Sequence, residues 1–217
     1  MKKIFLIIFS ILLIDQISKI YIKTHFELGS GVPVFPFFWI LFVENPGMAY
    51  GIRIGTGYHG KVLLSIFRFF LVLLIFFFLY KNVKRGSSNY LTIPISFIFS
   101  GAMGNFFDSA FYGFLFDTGT IYCEKYHDWI SYRGISKINQ FFSNSGGRGY
   151  SSFMKGCVVD IFYLPIIDIH FPNWIPFFGN FHFQFFKPIF NVSDISIFTG
   201  FILFFLFQNR IGNVKIL

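Results

Sequence analysis

Four long runs of apolar residues divide the chain, and most charged residues fall between them. The runs are Ile4–Ile22, Val62–Tyr80, Tyr90–Phe107 and Pro188–Phe207. Each approaches the roughly 20 residues that a helix needs to cross a bilayer core about 30 Å thick. The pattern therefore predicts an all-α membrane protein with four transmembrane helices, organised as one domain over residues 1–217.

The first long connection, residues 23–61, is rich in glycine, proline and aromatic residues. Its segment VPVFPFFWILFVENPGMAYGI favours short extended pieces around a turn at Asn45-Pro46-Gly47. Pro33 and Pro36 restrict any strand here to an edge or an irregular position. We expect a small β element lying at the membrane surface.

The second long connection, residues 108–187, contains two unlike parts. Thr118–Ser152 is polar and becomes rich in glycine and serine, which predicts a long, partly mobile inserted loop. Phe171–Phe186 is aromatic but too short and too interrupted by proline to span, so it suits the bilayer interface. We interpret His170 and His182 as interfacial polar residues, because they lack metal-ligand spacing.

Composition agrees with a membrane protein and explains the net charge of +8. The chain is 54% hydrophobic and 13% charged, against about 25% charged in soluble domains, and its mean hydropathy is +0.62. Seven basic and no acidic residues flank one side of the four runs: Lys2, Lys3, Lys81, Lys84, Arg85, Arg210 and Lys215. By the positive-inside rule both termini are cytoplasmic. The positive charge then reflects topology and anionic membrane lipid rather than nucleic acid.

The N-terminal segment and the two cysteines bear on processing and on disulfide formation. MKKIFLIIFSILLI resembles a secretory signal, but no small-residue cleavage site follows it, so we expect an uncleaved first helix. Cys123 and Cys157 both lie in the second connection, where they form either a disulfide or two incidental thiols. Neither has metal-ligand spacing, and we predict no metal and no organic cofactor.

Two aspartates sit in apolar surroundings and are the candidates for chemistry. Asp194 lies in the last run, about two turns inside the expected boundary, where a carboxylate costs roughly 2.5–3.5 kcal/mol. Asp160 lies in the apolar segment GCVVDIF. Ionised together at about 4 Å they would repel by roughly 4 kcal/mol, so one would keep its proton. That arrangement serves an aspartic protease, but spacing alone leaves open that the two acids are isolated and structural.

Other polar residues in or near the runs allow two interpretations each. Asp15 and Lys19 share a helical face and form an ion pair, or they simply let the helix leave the membrane while Lys19 snorkels. Asn105 and Asp108 also share a face, either as site residues or as polar contacts near a helix end. Asn45 serves a site or only the turn. No role is assigned to Arg68, the one charge in the second run.

Five short motifs, in order, resemble the lipoprotein signal peptidases, the bacterial membrane aspartic peptidases also called signal peptidase II. The motifs are DQISK at Asp15–Lys19, NPGMAYG at Asn45–Gly51, GAMGNFFD at Gly101–Asp108, VVD at Val158–Asp160 and FNVSD at Phe190–Asp194. Each is weak alone, but five in order on a four-span topology are specific. The resemblance covers most of the chain outside Thr118–Ser152.

The resemblance implies a function and a role for each matched residue. Asp160 and Asp194 match the catalytic dyad, and Asn105, Asp108 and Asn191 match residues that line and orient the site. Asn45, with Gly47 beside it, matches a substrate-contacting loop position, and Asp15 and Lys19 match the pair that supports the site from the first helix. Residues 30–55 would form a periplasmic β-cradle. The substrate would be a diacylglyceryl prolipoprotein cut before its lipidated cysteine, in the inner membrane, and globomycin-type inhibitors would bind.

Three features depart from the family. Ser109 stands where an arginine usually follows Asp108, Ser193 replaces an alanine before Asp194, and the segment between Asp108 and Asp160 is longer than is typical. The long segment and the serine are similar to the form of the family found in Bacteroidetes. Because residue 109 is not an arginine, the resemblance does not imply an ion pair between residue 109 and Asp108. The match of the two aspartates to the dyad is unaffected.

Two other classes of function remain alternatives to the enzyme. A proton-coupled transporter would place its acids at mid-depth and often contain repeats, whereas these acids lie toward one face and the runs show no repeat. A non-catalytic lipoprotein-binding scaffold would need neither Asp160 nor Asp194. Because one chain holds all the matched groups, we expect a monomer.

Overall fold

Helices form most of the structure, and a small sheet lies beside them. The computed structural model describes residues 2–47, 55–139, 149–165, 167–174, 182–185 and 188–211, with the backbone alone described for 167–170 and 182–185. The helices in these ranges are α1 (Lys2–His25), α2 (Gly57–Lys84), α3 (Asn89–Leu115), α4 (Val192–Leu206) and α5 (Gln208–Ile211). The strands are β1 (Gly31–Phe35), β2 (Phe38–Asn45), β3 (Ile121–Cys123), β4 (Asp128–Ile130), β5 (Val158–Tyr163), β6 (Ile167–His170), β7 (His182–Phe185) and β8 (Ile189–Phe190).

Three helices, α1, α2 and α3, are long and apolar enough to cross a membrane, and α4 is a shorter apolar helix of 15 residues. The three long helices extend past the predicted runs at both ends. Helix α3 continues to Leu115, so Asn105 and Asp108 lie within it rather than at its terminus. Phe70, Leu74 and Phe201 are among many apolar side chains left exposed on the helices, as lipid-facing positions would be.

The fourth predicted run was placed too early along the chain. Ile189 and Phe190 pair with β5 as strand β8, and the helix begins only at Val192. Asp194 is therefore in the first turn of α4 and not two turns inside it. An asparagine followed three residues later by an aspartate before an apolar run is a helix-start signal that could have corrected this boundary.

The sheet has four antiparallel strands in the order β1-β2-β5-β8. The prediction of a small sheet is confirmed, and Pro33 lies in the edge strand β1 as expected. The hairpin between β1 and β2 turns at Pro36-Phe37, which was not predicted. Asn45 ends β2, the chain bends at Pro46-Gly47, and the Asn45 side-chain oxygen accepts a hydrogen bond from the Gly47 amide at 2.9 Å.

The insertion (Thr118–Ser152) is folded against the helices over its described residues, 118–139 and 149–152. Backbone hydrogen bonds tie it to the end of α3: Asn139 donates to Leu115 at 2.7 Å and Ser151 to Gly113 at 2.7 Å. Trp129 packs edge-on against Tyr58 at the start of α2. Aromatic packing and main-chain pairing hold these ranges against the helices, and the partial mobility expected of the loop stays a prediction.

Both cysteines are free thiols. Burial raises the pKa of the Cys157 thiol to about 12, which keeps it protonated and unreactive near neutral pH. Of the two interpretations, incidental thiols fit the structure.

The aromatic segment Phe171–Phe186 is described only in part. Its residues 182–185 form β7, which pairs with β6 as a hairpin with His170 opposite His182. The interfacial roles expected for these two histidine side chains lie outside the described residues.

Helix α3 lies at the centre and packs against α1, α2 and α4. Gly104 faces the side chains of Asp15 and Ser193, and Gly101 faces the backbone of α4, with no room for a Cβ atom at either position. The two glycines therefore let α3 come close to α1 and α4. Ile4, Leu79, Leu91 and Ile211 belong to one core cluster at the end of the bundle away from the sheet.

Candidate active site

Asp160 lies in the middle of β5 and is only 5% exposed. Its two carboxylate oxygens accept hydrogen bonds from separate amides: Asn45 Nδ2 at 3.2 Å and Asn191 Nδ2 at 2.8 Å. Because β2 pairs with β5, the end of β2 carries Asn45 to this position. Asn45 therefore stabilises the turn and also donates a hydrogen bond to Asp160, so both interpretations of this residue apply.

Asp194 is held by the turn that begins α4. Asn191 is the N-cap residue: its side-chain oxygen accepts from the Asp194 amide at 3.0 Å, and Asp194 accepts from the Asn191 amide at 3.2 Å. This is a capping box, which fixes both side chains. Asn105 Nδ2 donates to the other oxygen of Asp194 at 2.8 Å. Asn191 therefore contacts both aspartates and places them in one site.

The environment of Asp160 disfavours its charged form. Burial is the largest cause, and the negative charge of Asp194 adds to it, so that the pKa of Asp160 rises from 3.8 to about 7. The hydrogen bonds from Asn45 and Asn191 and the charge of Lys19 oppose this rise. The negative charge of Asp194 therefore acts on Asp160 in the direction that the repulsion argument predicts.

Beneath the aspartates, Asp15, Lys19 and Asp108 form a fully buried ionic group that we call the Lys19 cluster. Lys19 Nζ lies 2.9 Å from Asp15 Oδ2 and 2.8 Å from Asp108 Oδ2, and it donates to Asn105 Oδ1 at 3.0 Å. All three ionic side chains are 0% exposed. Lys19 therefore does not snorkel toward a membrane surface, and that interpretation is wrong.

The Lys19 cluster also holds the backbone of the two segments that carry the aspartates. Asp15 Oδ1 accepts from the Ser193 amide at 2.8 Å, and Asp108 Oδ2 accepts from the Val159 amide at 3.3 Å. Ser193 and Val159 directly precede Asp194 and Asp160. The cluster therefore positions both carboxylates through their main chains.

Sequence reasoning gave no role to Gln16, although it lies within the DQISK motif. Its side-chain nitrogen donates to Asp108 Oδ1 at 2.9 Å and to Asp15 Oδ2 at 3.0 Å, and its oxygen accepts from the Tyr112 hydroxyl at 3.1 Å. Gln16 thus satisfies Asp108 Oδ1, which Lys19 does not reach, and shares Asp15 Oδ2 with Lys19.

Arg68 was also left without a role, and it contacts the site from α2. Its guanidinium donates to Ser109 Oγ at 2.6 Å and to the Gly47 carbonyl at 3.0 Å. Ser109, which departs from the family pattern, is therefore the partner of an arginine from another helix. The second departure, Ser193, is buried, and its hydroxyl has no hydrogen-bond partner among the residues that the structure describes.

A second buried ion pair, missed in the sequence, lies one turn along α1. Lys23 pairs with Glu44, which precedes Asn45, and Lys23 Nζ also donates to the Thr118 carbonyl at 3.1 Å. Glu44 accepts from the Thr120 amide at 2.6 Å. Four aromatic rings surround the ammonium with centres 5.0 to 5.8 Å away: Phe42, Phe116, Tyr132 and Tyr150. We call these residues the Lys23 cluster.

The structure brings every residue predicted for the site into one connected network. The set comprises Asp160, Asp194, Asn45, Gly47, Asn105, Asp108, Asn191, Asp15 and Lys19. Within the described ranges, no group of three or more His, Cys, Asp or Glu side chains is arranged to hold a metal ion.

Two buried carboxyl groups held by one asparagine, on a helical scaffold with candidate membrane spans, are the arrangement expected of a membrane aspartic peptidase. The family model described as Signal peptidase (SPase) II matches residues 7–209. The chain belongs to this family, the lipoprotein signal peptidases, and is a protease of the membrane.

Individual relatives and solved structures agree with the family. A lipoprotein signal peptidase of Porphyromonas gingivalis is 37% identical over 203 residues, covering 93% of this chain and 80% of the relative. The enzyme of the same name from Amoebophilus asiaticus is 27% identical over 191 residues, covering 86% and 69%. A solved bacterial membrane enzyme matches the fold with a TM-score of 0.58 at 22% identity, covering 99% of this chain and 92% of its own.

Proposed function

We propose that this protein removes the signal peptide from diacylglyceryl-modified prolipoproteins by cleaving before the lipidated cysteine, with Asp160 and Asp194 as the catalytic pair. The observation that carries the proposal is Asn191, whose side-chain amide donates to the Asp160 carboxylate at 2.8 Å and whose backbone amide donates to the Asp194 carboxylate at 3.2 Å. Membership of the family and the names of its relatives support the substrate.

The surroundings of the two acids favour different protonation states. Asp160 is buried on a strand, and its pKa of about 7 keeps a proton there near neutral pH. Asp194 lies in the first turn of α4, where the helix dipole favours a negative charge. We therefore assign the proton to Asp160 and the charge to Asp194.

This assignment gives each acid one task in each half of the reaction. The Asp194 carboxylate takes a proton from water as the water oxygen attacks the scissile carbonyl, and Asp160 donates its proton to the carbonyl oxygen. When the tetrahedral intermediate breaks down, Asp194 returns a proton to the leaving amine and Asp160 recovers its own. No metal is required, because the water is activated by a carboxylate.

A cavity of about 140 Å³ that is lined in part by Asn105 favours the proposal of a lipidated substrate. Its walls come from α2, α3 and α4 and are mostly apolar: Leu64, Phe67, Leu71, Ala102 and Ile197, with Arg68 and Asn105 as its polar members. Asn105 also holds Asp194. An acyl chain could occupy the apolar part while the peptide lies against the carboxylates.

The proposed placement is the bacterial inner membrane with both termini cytoplasmic and the site at the periplasmic face. The basic residues near both termini and in the α2–α3 connection support it, because the core cluster of Ile4, Leu79, Leu91 and Ile211 joins those segments at one end of the bundle. The sheet and the aspartates lie at the other end. A monomer is proposed because one chain holds all the groups, and globomycin-type inhibitors are expected to compete with substrate.

The test is cleavage of a purified diacylglyceryl prolipoprotein by wild type, Asp160→Asn and Asp194→Asn in detergent. Asn is nearly isosteric with Asp but cannot accept or donate the catalytic proton, so each variant should lose about 10⁴-fold or more in kcat. Asp128→Asn is the matched control, because Asp128 is exposed on β4 within the insertion and should leave activity unchanged.

Folding of each variant is checked by its thermal unfolding midpoint. A folded Asp160→Asn or Asp194→Asn enzyme with activity near wild type would refute the paired-carboxylate mechanism. A wild-type protein that binds but never cleaves the lipidated substrate would favour a binding scaffold.

A further inference from the structure

Arg68 lies inside α2 and is the only charged residue between Val62 and Tyr80. A charged side chain within an apolar helix is costly unless it is paired toward the protein interior. Arg68 is partly buried, and both terminal nitrogens of its guanidinium are engaged by partners outside α2. The two partners, Ser109 and Gly47, are each connected by further hydrogen bonds to one of the two aspartates.

One arm of the guanidinium leads to Asp194. Arg68 Nη1 donates to Ser109 Oγ at 2.6 Å, and Ser109 Oγ donates to the Asn105 carbonyl at 3.0 Å. The Asn105 side chain then donates to Asp194 at 2.8 Å. Ser109 is fully buried on α3, so this arm fixes α2 against the segment that holds Asp194.

The other arm leads to Asp160. Arg68 Nη2 donates to the Gly47 carbonyl at 3.0 Å, and the Gly47 amide donates to Asn45 Oδ1 at 2.9 Å. Accepting that bond orients the Asn45 amide so that its nitrogen donates to Asp160 at 3.2 Å. This arm therefore sets the rotation of the amide that holds Asp160.

We propose that Arg68 is a positioning residue for the reaction, which holds the amide partners of both catalytic carboxylates from one planar group. The inference rests on the proposed function of Asp160 and Asp194. Lysine cannot replace it, because an ammonium is a point charge and does not bind two acceptors in a fixed fork.

The charge of Arg68 also acts on the site. Asp108, Asp160 and Asp194 attract it, and the buried ammonium of Lys61 repels it. Arg68 and Ser109 are in direct contact, so an arginine at 109 could place its guanidinium in the same space once residue 68 is shortened. We therefore expect activity to depend on where the positive charge lies and not on which helix carries the arginine.

The test measures kcat, KM and the pH–rate profile of the full-length protein in detergent on a diacylglyceryl prolipoprotein. Arg68→Gln should lower kcat by about 100-fold with KM within about threefold, because misplaced carboxylates affect the chemical step. Its acid limb should move to higher pH, since a positive charge facing Asp160, Asp194 and Asp108 is lost. Arg68→Lys should lose about tenfold, as expected for one charged hydrogen bond.

Two further variants separate positioning from packing. Arg68→Ser combined with Ser109→Arg should recover at least about tenfold over Arg68→Ser alone, because a guanidinium then returns from α3. Arg85→Gln, the same change at the exposed end of the same helix, should match wild type.

A folded Arg68→Gln protein with kcat within threefold of wild type, or with a change in KM alone, would overturn the proposal. If Arg68→Gln does not fold, Arg68→Lys provides the test. A wild-type kcat in Arg68→Lys would then overturn the proposal. Failure of the proposed function is distinguishable, because then wild type itself does not cleave.

Discussion

Two lysines one turn apart on α1 are both completely buried, yet their surroundings differ. Lys19 is neutralised by two carboxylates, Asp15 and Asp108, and is linked through Asn105 to Asp194 of the proposed catalytic pair. Among the described residues, Lys23 pairs with one carboxylate, Glu44, and lies within four aromatic rings. The Lys19 cluster joins α1, α3, α4 and β5, whereas the Lys23 cluster joins α1 to β2 and the insertion.

The difference shows two ways to bury an ammonium. Charge pairing needs every lone pair satisfied, and the Lys19 cluster achieves this with Gln16, Asn105 and backbone amides. The aromatic faces around Lys23 supply weaker attraction that is less dependent on geometry. The first arrangement suits a site that must be fixed precisely, and the second suits attachment of an inserted segment.

The largest effect is expected from removing the cation of the Lys19 cluster. Lys19→Met leaves two carboxylates buried together without compensation, which should lower the free energy of unfolding by about 3–5 kcal/mol or prevent folding. Unfolding of the purified protein in a mixed-detergent titration measures the loss. Lys81→Met is the control, because Lys81 is exposed near the end of α2. A Lys19→Met protein as stable as the control would show that the ionic cluster is dispensable.

The second effect is a pH dependence of stability that originates in Asp160. Its pKa is 3.8 when unfolded and about 7 when folded, so the native state holds the proton more tightly. The contribution of Asp160 to the free energy of unfolding is therefore fully present below pH 4. It is lost as the pH rises toward 7, and the loss is at most about 4 kcal/mol. The stability of wild type relative to Asp160→Asn should decline across that window and then level off.

The same measurement distinguishes the two lysines. The charge of Lys19 lowers the pKa of Asp160, while Lys23 is not among its main influences. Lys23→Met should therefore leave the pH window of the decline in place. A constant difference between wild type and Asp160→Asn from pH 4 to pH 8 would contradict the raised pKa.

The smallest effect is expected in the Lys23 cluster. Glu44→Gln leaves Lys23 without its anion but still within the aromatic rings, so it should lower the free energy of unfolding by about 1–3 kcal/mol. It should also speed proteolysis within 118–139, since Glu44 accepts the Thr120 amide. Limited proteolysis followed by mass mapping reports the sites.

A double variant tests whether Lys23 and Glu44 are energetically coupled. Lys23→Met with Glu44→Gln removes both charges and should be more stable than Glu44→Gln alone, because no buried charge remains unpaired. Additive losses would show that the two side chains are not energetically coupled.

The sequence predicted much of the site because its residues lie in short, recognisable segments. DQISK, GNFFD and NVSD each contribute residues spaced by one helical turn, and the structure brings them together as the resemblance implied. The boundary of α4 was wrong, since apolarity extends through Ile189 and Phe190 although these residues pair with β5. Hydropathy alone does not distinguish a strand beside the membrane from the first turn of a helix.

The roles of Arg68, Lys23 and Glu44 could not be predicted from the sequence. Each depends on partners 21 to 95 residues away: Ser109 and Gly47 for Arg68, and Glu44 and Thr118 for Lys23. The insertion was expected to be partly mobile from its composition. Its contacts with α3 and with Lys23 show that the described parts of a polar segment can be held by few, well-placed aromatic residues.

The amino-acid sequence by itself determined the membrane class, the approximate helices and the choice of the two aspartates as candidates, because hydropathy and short motifs are local properties of the chain. Tertiary structure decided the place of Asp194 in the first turn of α4, the burial of Lys19 and the linking of both acids through Asn191 and Arg68. These depend on the packing of α3 against its neighbours, where glycines at 101 and 104 allow α4 to approach. Hydrogen bonds are short-ranged and directional, so only the folded arrangement determines which of the many polar groups meet.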